Sequence, residues 1–203
     1  MYNIEKILND IQNRNSKCIC IIGNIKRDDV LKIFEITDEN DKIYFFGHKN
    51  DFNELKKEHD KFTSYSKPKL IPFVNESKLF DSYLWSLINY TNALKLAKQP
   101  LATMDFVYYS GKHIYIHDSG TLALVNKLLA NKGYLVIYDY SWSISNSPSM
   151  NPSDNKNTSK NYPNTSFDVK QMELLSRIFL EDCHLKPDYS NKNICTFIKQ
   201  LSY

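Results

Sequence analysis

The 203-residue chain is long enough to bury one sizeable core, and its composition, 42% hydrophobic and 24% charged residues, is that of an ordinary globular protein. A net charge of +3 with scattered lysines argues against a nucleic-acid-binding protein, and no apolar run approaches the roughly 20 residues of a membrane-spanning helix. The amino terminus lacks the apolar core of a signal peptide, so we expect a single domain, residues 1–203, in the cytoplasm.

Helix and strand patterns alternate through the first two thirds of the chain. Ile4, Ile7 and Leu8 recur at helical spacing, whereas CICIIG is a short apolar strand that ends at Gly23. The same criteria predict helices at residues 2–13, 28–36, 51–62, 77–98 and 119–130. They predict strands at residues 18–23, 42–47, 69–74, 104–109 and 134–138. Five apolar strands joined by helices predict an α/β fold with a doubly wound, mostly parallel sheet.

A long polar segment follows the fifth strand. Residues 141–166 contain eight Ser, six Asn and three Pro, a composition that buries little surface and predicts a loop. This loop is either a lid over a substrate or a disordered surface insertion. Helical spacing returns at residues 168–182, and the last residues predict an antiparallel hairpin with NICTFIK as its second strand.

The turns after Tyr109 and Tyr138 are where chemistry is expected, because ligands of parallel sheets bind at the carboxyl ends of the strands. His113 is a candidate general base, since histidine titrates near neutral pH, or else it caps the next helix or bridges two loops. Asp139 either orients the substrate or the base, or caps the following segment. His113 and His117 are four residues apart and would lie on one face of a helix, but the pair has no third metal ligand beside it. The two histidines therefore do not predict a metal site.

Two segments around these residues resemble the class I S-adenosylmethionine-dependent methyltransferases, in particular a branch that modifies small molecules such as sugars. DFVYYSGKHIYI, residues 105–116, is similar to the family type DFVYYDGAHTYE, and LLANKGYLVIYDYSW, residues 128–142, is similar to LLKPGGYLVFDDYDW. SPSMNP, residues 147–152, is similar to a Ser-Pro-Thr-Met-Asn-Pro stretch of some relatives.

The resemblance implies a Rossmann-like methyltransferase fold with a C-terminal antiparallel hairpin. It also implies that S-adenosylmethionine is the cofactor and that a methyl group passes to an oxygen or nitrogen of a small molecule, such as a sugar or a nucleotide sugar. His113 or Asp139 would then take the proton that the acceptor loses.

A cofactor site at the ends of the first four strands is a further implication of the resemblance. In the family a glycine-rich turn follows the first strand, and an acidic residue that binds the ribose hydroxyls ends the second. The corresponding positions in this chain, together with those after the third and fourth strands, are Gly23, Asn24, Gly47, His48, Glu76, Ser77 and Ser110. Asp51, beyond His48, could replace the missing acid only if the loop bends back.

These cofactor positions depart from the family pattern. Only Gly23 remains of the glycine-rich turn, and Gly47 and His48 replace the acid of the second strand. Because of these departures a second interpretation stays open, in which the chain is a catalytically inactive protein of the same fold that acts as a binding or scaffold partner.

The metal-assisted members of the family use acidic residues after the fourth and fifth strands. Since Ser110 and Tyr138 replace two of these acids, we expect no metal site. We expect a small-molecule substrate as the partner, and neither nucleic acid nor a membrane. The sequence leaves open whether the chain forms a homo-oligomer.

Overall fold

A seven-stranded sheet forms the centre of the computed structural model, within the residues that it describes: 4–62, 67–76, 83–180, 183–187 and 193–200. The strands are β1 Cys18–Gly23, β2 Lys42–His48, β3 Lys69–Asn75, β4 Met104–Ser110, β5 Leu129–Tyr138, β6 Cys183–Pro187 and β7 Ile194–Lys199. They lie in the order β3-β2-β1-β4-β5-β7-β6; the first five are parallel, and β7 runs antiparallel to both β5 and β6. The predicted doubly wound sheet with a C-terminal antiparallel hairpin is confirmed.

Helices cover both faces of this sheet. They are α1 Ile4–Gln12, α2 Arg27–Glu35, α3 Lys49–Lys61, α4 Tyr83–Leu96, α5 Tyr115–Leu128, α6 Thr158–Asn161 and α7 Gln171–Phe179. In β1, Ile21 points to the layer of α1, α2 and α3, whereas Ile22 points to the layer of α4, α5 and α7. Because the strands bury both faces, they read as unbroken apolar runs. No helix in the described ranges is long and apolar enough to cross a bilayer.

The start of β5 differs from the prediction for a structural reason. The strand begins at Leu129 because its pairing with β4 shifts: Met104 faces Leu129, whereas Phe106 faces Tyr134. The extra residues form a bulge around Gly133, where a Cβ would lie only 2.8 Å from the Met104 carbonyl oxygen. The predicted strand at 134–138 is therefore the second, regular part of a longer one.

The bounds of the helices differ from those predicted, most of all in α5 and α7. α5 begins at Tyr115 and not at Ser119, so that Asp118 lies in its first turn, where a negative charge suits the helix dipole. α7 is shorter than the predicted range 168–182. The predicted first residues of α4, 77–82, lie outside the described residues.

Ion pairs hold the amino ends of the central strands together. The buried Lys17 ammonium lies 3.0 Å from Asp41, which also accepts the Lys17 backbone N–H at 2.6 Å. Arg14 contacts Asp105 at 2.7 Å, and the same carboxylate accepts the Cys18 N–H at 2.9 Å. These carboxylates align β1, β2 and β4 at one edge of the sheet, opposite to the edge at which ligands of such sheets bind.

Candidate active site

A small cleft lies at the carboxyl edge of the sheet, where β1, β2 and β4 end. Its walls include five of the residues that the family resemblance assigns to the cofactor: Gly23, Asn24, Gly47, His48 and Ser110. The volume of this cofactor cleft is about 140 Å³. Most small-molecule sites measure roughly 300–1,000 Å³, so a ligand of the size of S-adenosylmethionine would have to widen it.

Close packing of neighbouring atoms explains Gly23 and Gly47 in the cofactor cleft. Gly23 has a φ of +80°, and a Cβ there would lie 2.0 Å from the carbonyl oxygen of Ser110. A Cβ on Gly47 would lie 2.8 Å from the ring of Phe45. The space that Gly23 leaves is thus filled by β4, whereas the glycines of the family pattern admit the cofactor.

Asp51 adds a carboxyl group to the cofactor cleft. No loop has to bend back, because α3 begins at Lys49 directly after β2 and its first turn brings Asp51 beside His48. His48 caps the same helix, since its Nδ1 accepts a hydrogen bond from the Asn50 N–H at 3.2 Å. Asp51 therefore lies where a carboxylate could accept hydrogen bonds from ribose hydroxyls.

The turn after β3 contributes less than the resemblance implies. Glu76 is exposed and forms an ion pair with Lys49 at 2.6 Å, and it does not line the cofactor cleft. Ser77 lies outside the described residues. The geometry of the described residues thus gives no support to a cofactor contact by Glu76.

His113 and Asp139 meet where β4 and β5 end, and we call them the dyad. His113 Nε2 lies 3.7 Å from Asp139 Oδ2, an ion-pair distance longer than an ideal hydrogen bond. The largely buried imidazole stacks on the indole of Trp142, with ring centroids 4.5 Å apart and ring planes inclined by 8°. Interaction with His113 holds the pKa of Asp139 below its usual value, against the opposing effect of burial. Asp139 therefore stays ionised at neutral pH.

The backbone of the dyad has a conformation that is rare for residues with a side chain. The φ angles of His113 and Asp139 are 57° and 51°. A non-glycine residue in this left-handed region stores about 1–3 kcal/mol of strain, and such residues concentrate at functional sites. Ser16, Lys98 and Lys132 share this conformation elsewhere in the chain, so the angles set the direction of the two side chains and do not by themselves assign them a function.

A buried carboxyl group, that of Asp118, organises the turn after β4. It accepts hydrogen bonds from the hydroxyl of Tyr83 at 2.7 Å and from the hydroxyl of Tyr109. The Gln171 side chain donates to its other oxygen at 2.7 Å. Tyr83 Oη in turn accepts the backbone N–H of Lys112 at 3.0 Å. The network ties α4, β4, α5 and α7 to the turn that carries the dyad histidine, and the sequence alone did not reveal it.

A second buried carboxyl group, that of Asp29 in the first turn of α2, lies on the opposite face of the sheet. The hydroxyl of Tyr138 donates to it, and that of Tyr108 donates at 3.4 Å. Lys26 Nζ lies 4.8 Å from the centroid of the Tyr138 ring. Tyr138, which the resemblance places where metal-assisted methyltransferases have an acid, therefore packs against α2.

These buried phenols predict a loss of stability at alkaline pH. Burial raises the pKa of Tyr83, Tyr108 and Tyr109 above the usual value. The folded protein keeps these protons after the unfolded chain releases them, so the free energy of unfolding should fall as pH rises above about 10. Urea unfolding at about pH 8 and about pH 11 measures this fall in the free energy of unfolding. The exchange Tyr109→Phe should make the difference between the two pH values smaller. Equal stability at both pH values would contradict the expectation.

An apolar pocket of about 490 Å³ adjoins the dyad. Its walls come from the turn after β4, from the segment 142–166 and from the start of α7. The segment 142–166 contains α6 and two short 3-10 helices, Ile144–Asn146 and Asn164–Ser166, with Ile144 buried. The residues expected to form a lid or a disordered insertion thus supply one wall of this apolar pocket.

A more polar cavity of about 510 Å³, the polar cleft, also adjoins the dyad. Asp139, Ser141 and Asn146 line it but do not line the apolar pocket. His113 and Trp142 line both cavities. The imidazole therefore stands at the junction of a polar and an apolar cavity.

Among the described residues, no three His, Cys, Asp or Glu side chains come together as a metal site. Ser110 lines the cofactor cleft, and Asp139 faces His113. The Nδ1 atoms of His113 and His117 are buried without a hydrogen-bond partner. The chemistry available at this edge is that of the dyad, the hydroxyl and amide groups of the polar cleft, and the apolar walls.

Solved methyltransferases share this fold. A Staphylococcus aureus protein assigned as a caffeoyl-CoA O-methyltransferase has a TM-score of 0.59 and 11% identity, over 98% of this chain and 83% of its own. A Podospora anserina methyltransferase with bound S-adenosylhomocysteine has a TM-score of 0.55 and 12% identity, over 97% and 77%. A Clostridium thermocellum protein assigned as an rRNA methylase has a TM-score of 0.54 and 11% identity, over 100% and 97%. No protein-family model and no curated sequence matches the chain.

Proposed function

We propose that this protein is an S-adenosylmethionine-dependent methyltransferase that modifies an oxygen or a nitrogen of a small molecule. The dyad carries the proposal: in a fold shared with solved methyltransferases, a histidine held by an ionised carboxylate stands beside two cavities of about 490 and 510 Å³. Both volumes lie in the range of small-molecule sites. The cofactor cleft lies next to them, and Lys112 lines both that cleft and the apolar pocket.

The cofactor cleft offers groups of the right chemistry for S-adenosylmethionine. Asn24 lies in the turn between β1 and the amino end of α2, where free N–H groups suit a carboxylate. Asp51 offers an acceptor for the ribose hydroxyls. When bound, the cofactor supplies an electrophilic methyl group on its sulfonium.

His113 accepts the proton that the hydroxyl or amine of the acceptor loses as the methyl group is transferred, and it does so at Nε2, because Nδ1 is buried. Asp139 orients the imidazole and stabilises its positive form, and the stack on Trp142 fixes the plane of the ring. A positioned base of this kind contributes typically 10²–10⁴-fold to a rate. Holding the two reactants in line contributes up to about 7–11 kcal/mol in the best cases.

A hydroxyl-rich acceptor, such as a sugar or a nucleotide sugar, fits the chemistry of the polar cleft. Ser141, Asn146 and Asn193 line that cleft together with the dyad and offer hydroxyl and amide groups to sugar hydroxyls. Ser141 Oγ donates to Asn193 Oδ1 at 2.9 Å, a contact that orients both side chains. The polar cleft supports a sugar without excluding other hydroxylated small molecules.

A catalytically inactive protein of the same fold, working as a binding or scaffold partner, is the second candidate. The small volume of the cofactor cleft, about 140 Å³, favours it. So does Gly23, because Ser110 fills the space that a glycine would otherwise open to the cofactor. The two candidates differ in whether the cleft widens to admit S-adenosylmethionine.

Calorimetric titration with S-adenosylmethionine and S-adenosylhomocysteine separates the two candidates. Binding of both at micromolar concentration would support the methyltransferase and turn the search to acceptors. Failure of both to bind at millimolar concentration would rule the methyltransferase out and leave the inactive candidate.

The exchange Asp51→Asn should weaken cofactor binding by about tenfold or more, because a hydrogen bond to a charged group contributes about 1.5–3 kcal/mol. The same titration measures the effect. Asp60→Asn is the matched control, since Asp60 lies on the same helix but does not line the cofactor cleft. Equal affinities of Asp51→Asn and the unaltered protein would remove Asp51 from the site.

A further inference from the structure

We propose that the apolar pocket holds a flat, apolar body of the acceptor, whose reacting hydroxyl or amine lies at His113. The identity of the occupant as a methyl acceptor rests on the proposed function, whereas its binding does not. The pocket volume of about 490 Å³ matches a small molecule of several rings.

Exposed hydrophobic side chains concentrate in this pocket. Six of the ten large hydrophobic side chains that are exposed in the described residues line it: Ile114, Tyr115, Ile116, Tyr162, Val169 and Leu174. Single exposed hydrophobic residues are ordinary, but a cluster of this kind marks a binding surface. The cluster comes from three separate segments of the chain, which face one another around a cavity and do not form one flat patch.

The walls also restrict the charge and shape of the occupant. No Asp or Glu lines the apolar pocket within the described residues, whereas Lys112 does, so the walls favour a neutral or an anionic molecule over a cation. His113 and Trp142 line the pocket with their rings stacked on each other, and aromatic rings held in this way pack favourably, offset or edge to face, against a flat ring system. A free sugar, whose hydroxyls would find few partners here, does not fit this pocket.

Because the two cavities meet at the dyad, we expect the acceptor to be apolar at one end and polar at the other. His113 and Trp142 line both, and Asp139 and Ser141 line only the polar cleft. An acceptor that straddles the junction places its apolar body in the apolar pocket and its hydroxylated end beside the dyad. The two cavities together thus favour an amphipathic acceptor over a free sugar, which the polar cleft alone would admit.

Direct binding of two probes, without cofactor, tests the inference. Hydroxynaphthalene combines a flat apolar body with one hydroxyl group, whereas methyl glucoside carries hydroxyls alone. Calorimetric titration should show saturable binding of hydroxynaphthalene and far weaker binding of the glucoside. Trp85→Phe leaves Trp142 as the single tryptophan, whose fluorescence should change on binding because it lines the pocket.

A matched pair of variants on α7 locates the bound probe. Leu174 lines the apolar pocket and is 41% exposed, whereas Ile178 does not line it and is 46% exposed. Leu174→Gln should weaken hydroxynaphthalene binding by about tenfold through lost apolar contact, and Ile178→Gln should leave it unchanged.

Absence of hydroxynaphthalene binding, or an equal effect of both variants, would overturn the inference. Tighter binding of the glucoside would overturn it as well. Because these binding experiments contain no cofactor, they are independent of the proposed function. If the protein bound hydroxynaphthalene but not S-adenosylmethionine, the proposed function would be refuted and the inference about the apolar pocket would stand.

Discussion

Exchange of His113 for asparagine should lower the rate of methyl transfer by about 10²–10⁴-fold, the usual contribution of a general base. Asparagine tolerates the left-handed backbone conformation of position 113, so the turn after β4 should persist. The cofactor should bind as before, because His113 does not line the cofactor cleft. Single-turnover rates with an identified acceptor, together with cofactor titration, measure both effects.

His117→Asn is the matched control for this experiment. His117 lies in the first turn of α5, and it lines neither the apolar pocket nor the polar cleft. Its exchange should leave the rate within a few-fold of the unaltered protein. If His113→Asn weakened cofactor binding as much as it slowed turnover, the base role would be wrong and the residue would only shape the site.

Exchange of Asp118 for asparagine should lower the free energy of unfolding by about 3 kcal/mol. The buried carboxyl group accepts hydrogen bonds from Tyr83, Tyr109 and Gln171, and each bond to a charged acceptor contributes about 1.5–3 kcal/mol. The asparagine amide keeps one oxygen that accepts hydrogen bonds, but its NH₂ group replaces the second oxygen. The donor that faces this NH₂ group then has no acceptor. Urea unfolding measures the change, which corresponds to a fall in Tm of about 6–12 °C.

The exposed Asp168 offers the control for this stability measurement. Asp168→Asn should change the free energy of unfolding by less than about 0.5 kcal/mol, as surface exchanges usually do. A loss below about 1 kcal/mol for Asp118→Asn would show that the network is not a principal support of the turn after β4.

The sheet could be predicted from the sequence because its strands are buried on both faces and therefore read as apolar runs. The bulge at the start of β5 could not, since it depends on which residues of β4 lie opposite. Met104 pairs with Leu129 although the regular register begins only at Phe106 and Tyr134. Single-strand patterns contain no information about such pairing.

The dyad was accessible to sequence reasoning because Asp139 directly follows β5, His113 lies three residues after β4, and neighbouring parallel strands bring their ends together. The Asp118 network was not, since it joins Asp118 to Tyr83 and Gln171, 35 and 53 positions away. One signal was present: Asp118 precedes Thr121, Leu122 and Val125 at helical spacing, on what proves to be the buried face of α5. A charged residue on such a face requires partners that only the fold supplies.

The left-handed backbone at His113 and Asp139 limits which substitutions these two positions accept. Glycine adopts such angles freely, whereas most side chains meet a steric cost there. A glycine at position 113 would relieve that cost but would also remove an imidazole that is largely buried and stacks on Trp142. Asparagine, which tolerates these angles, is therefore the exchange that removes the chemistry of either side chain and leaves the backbone of its turn in place.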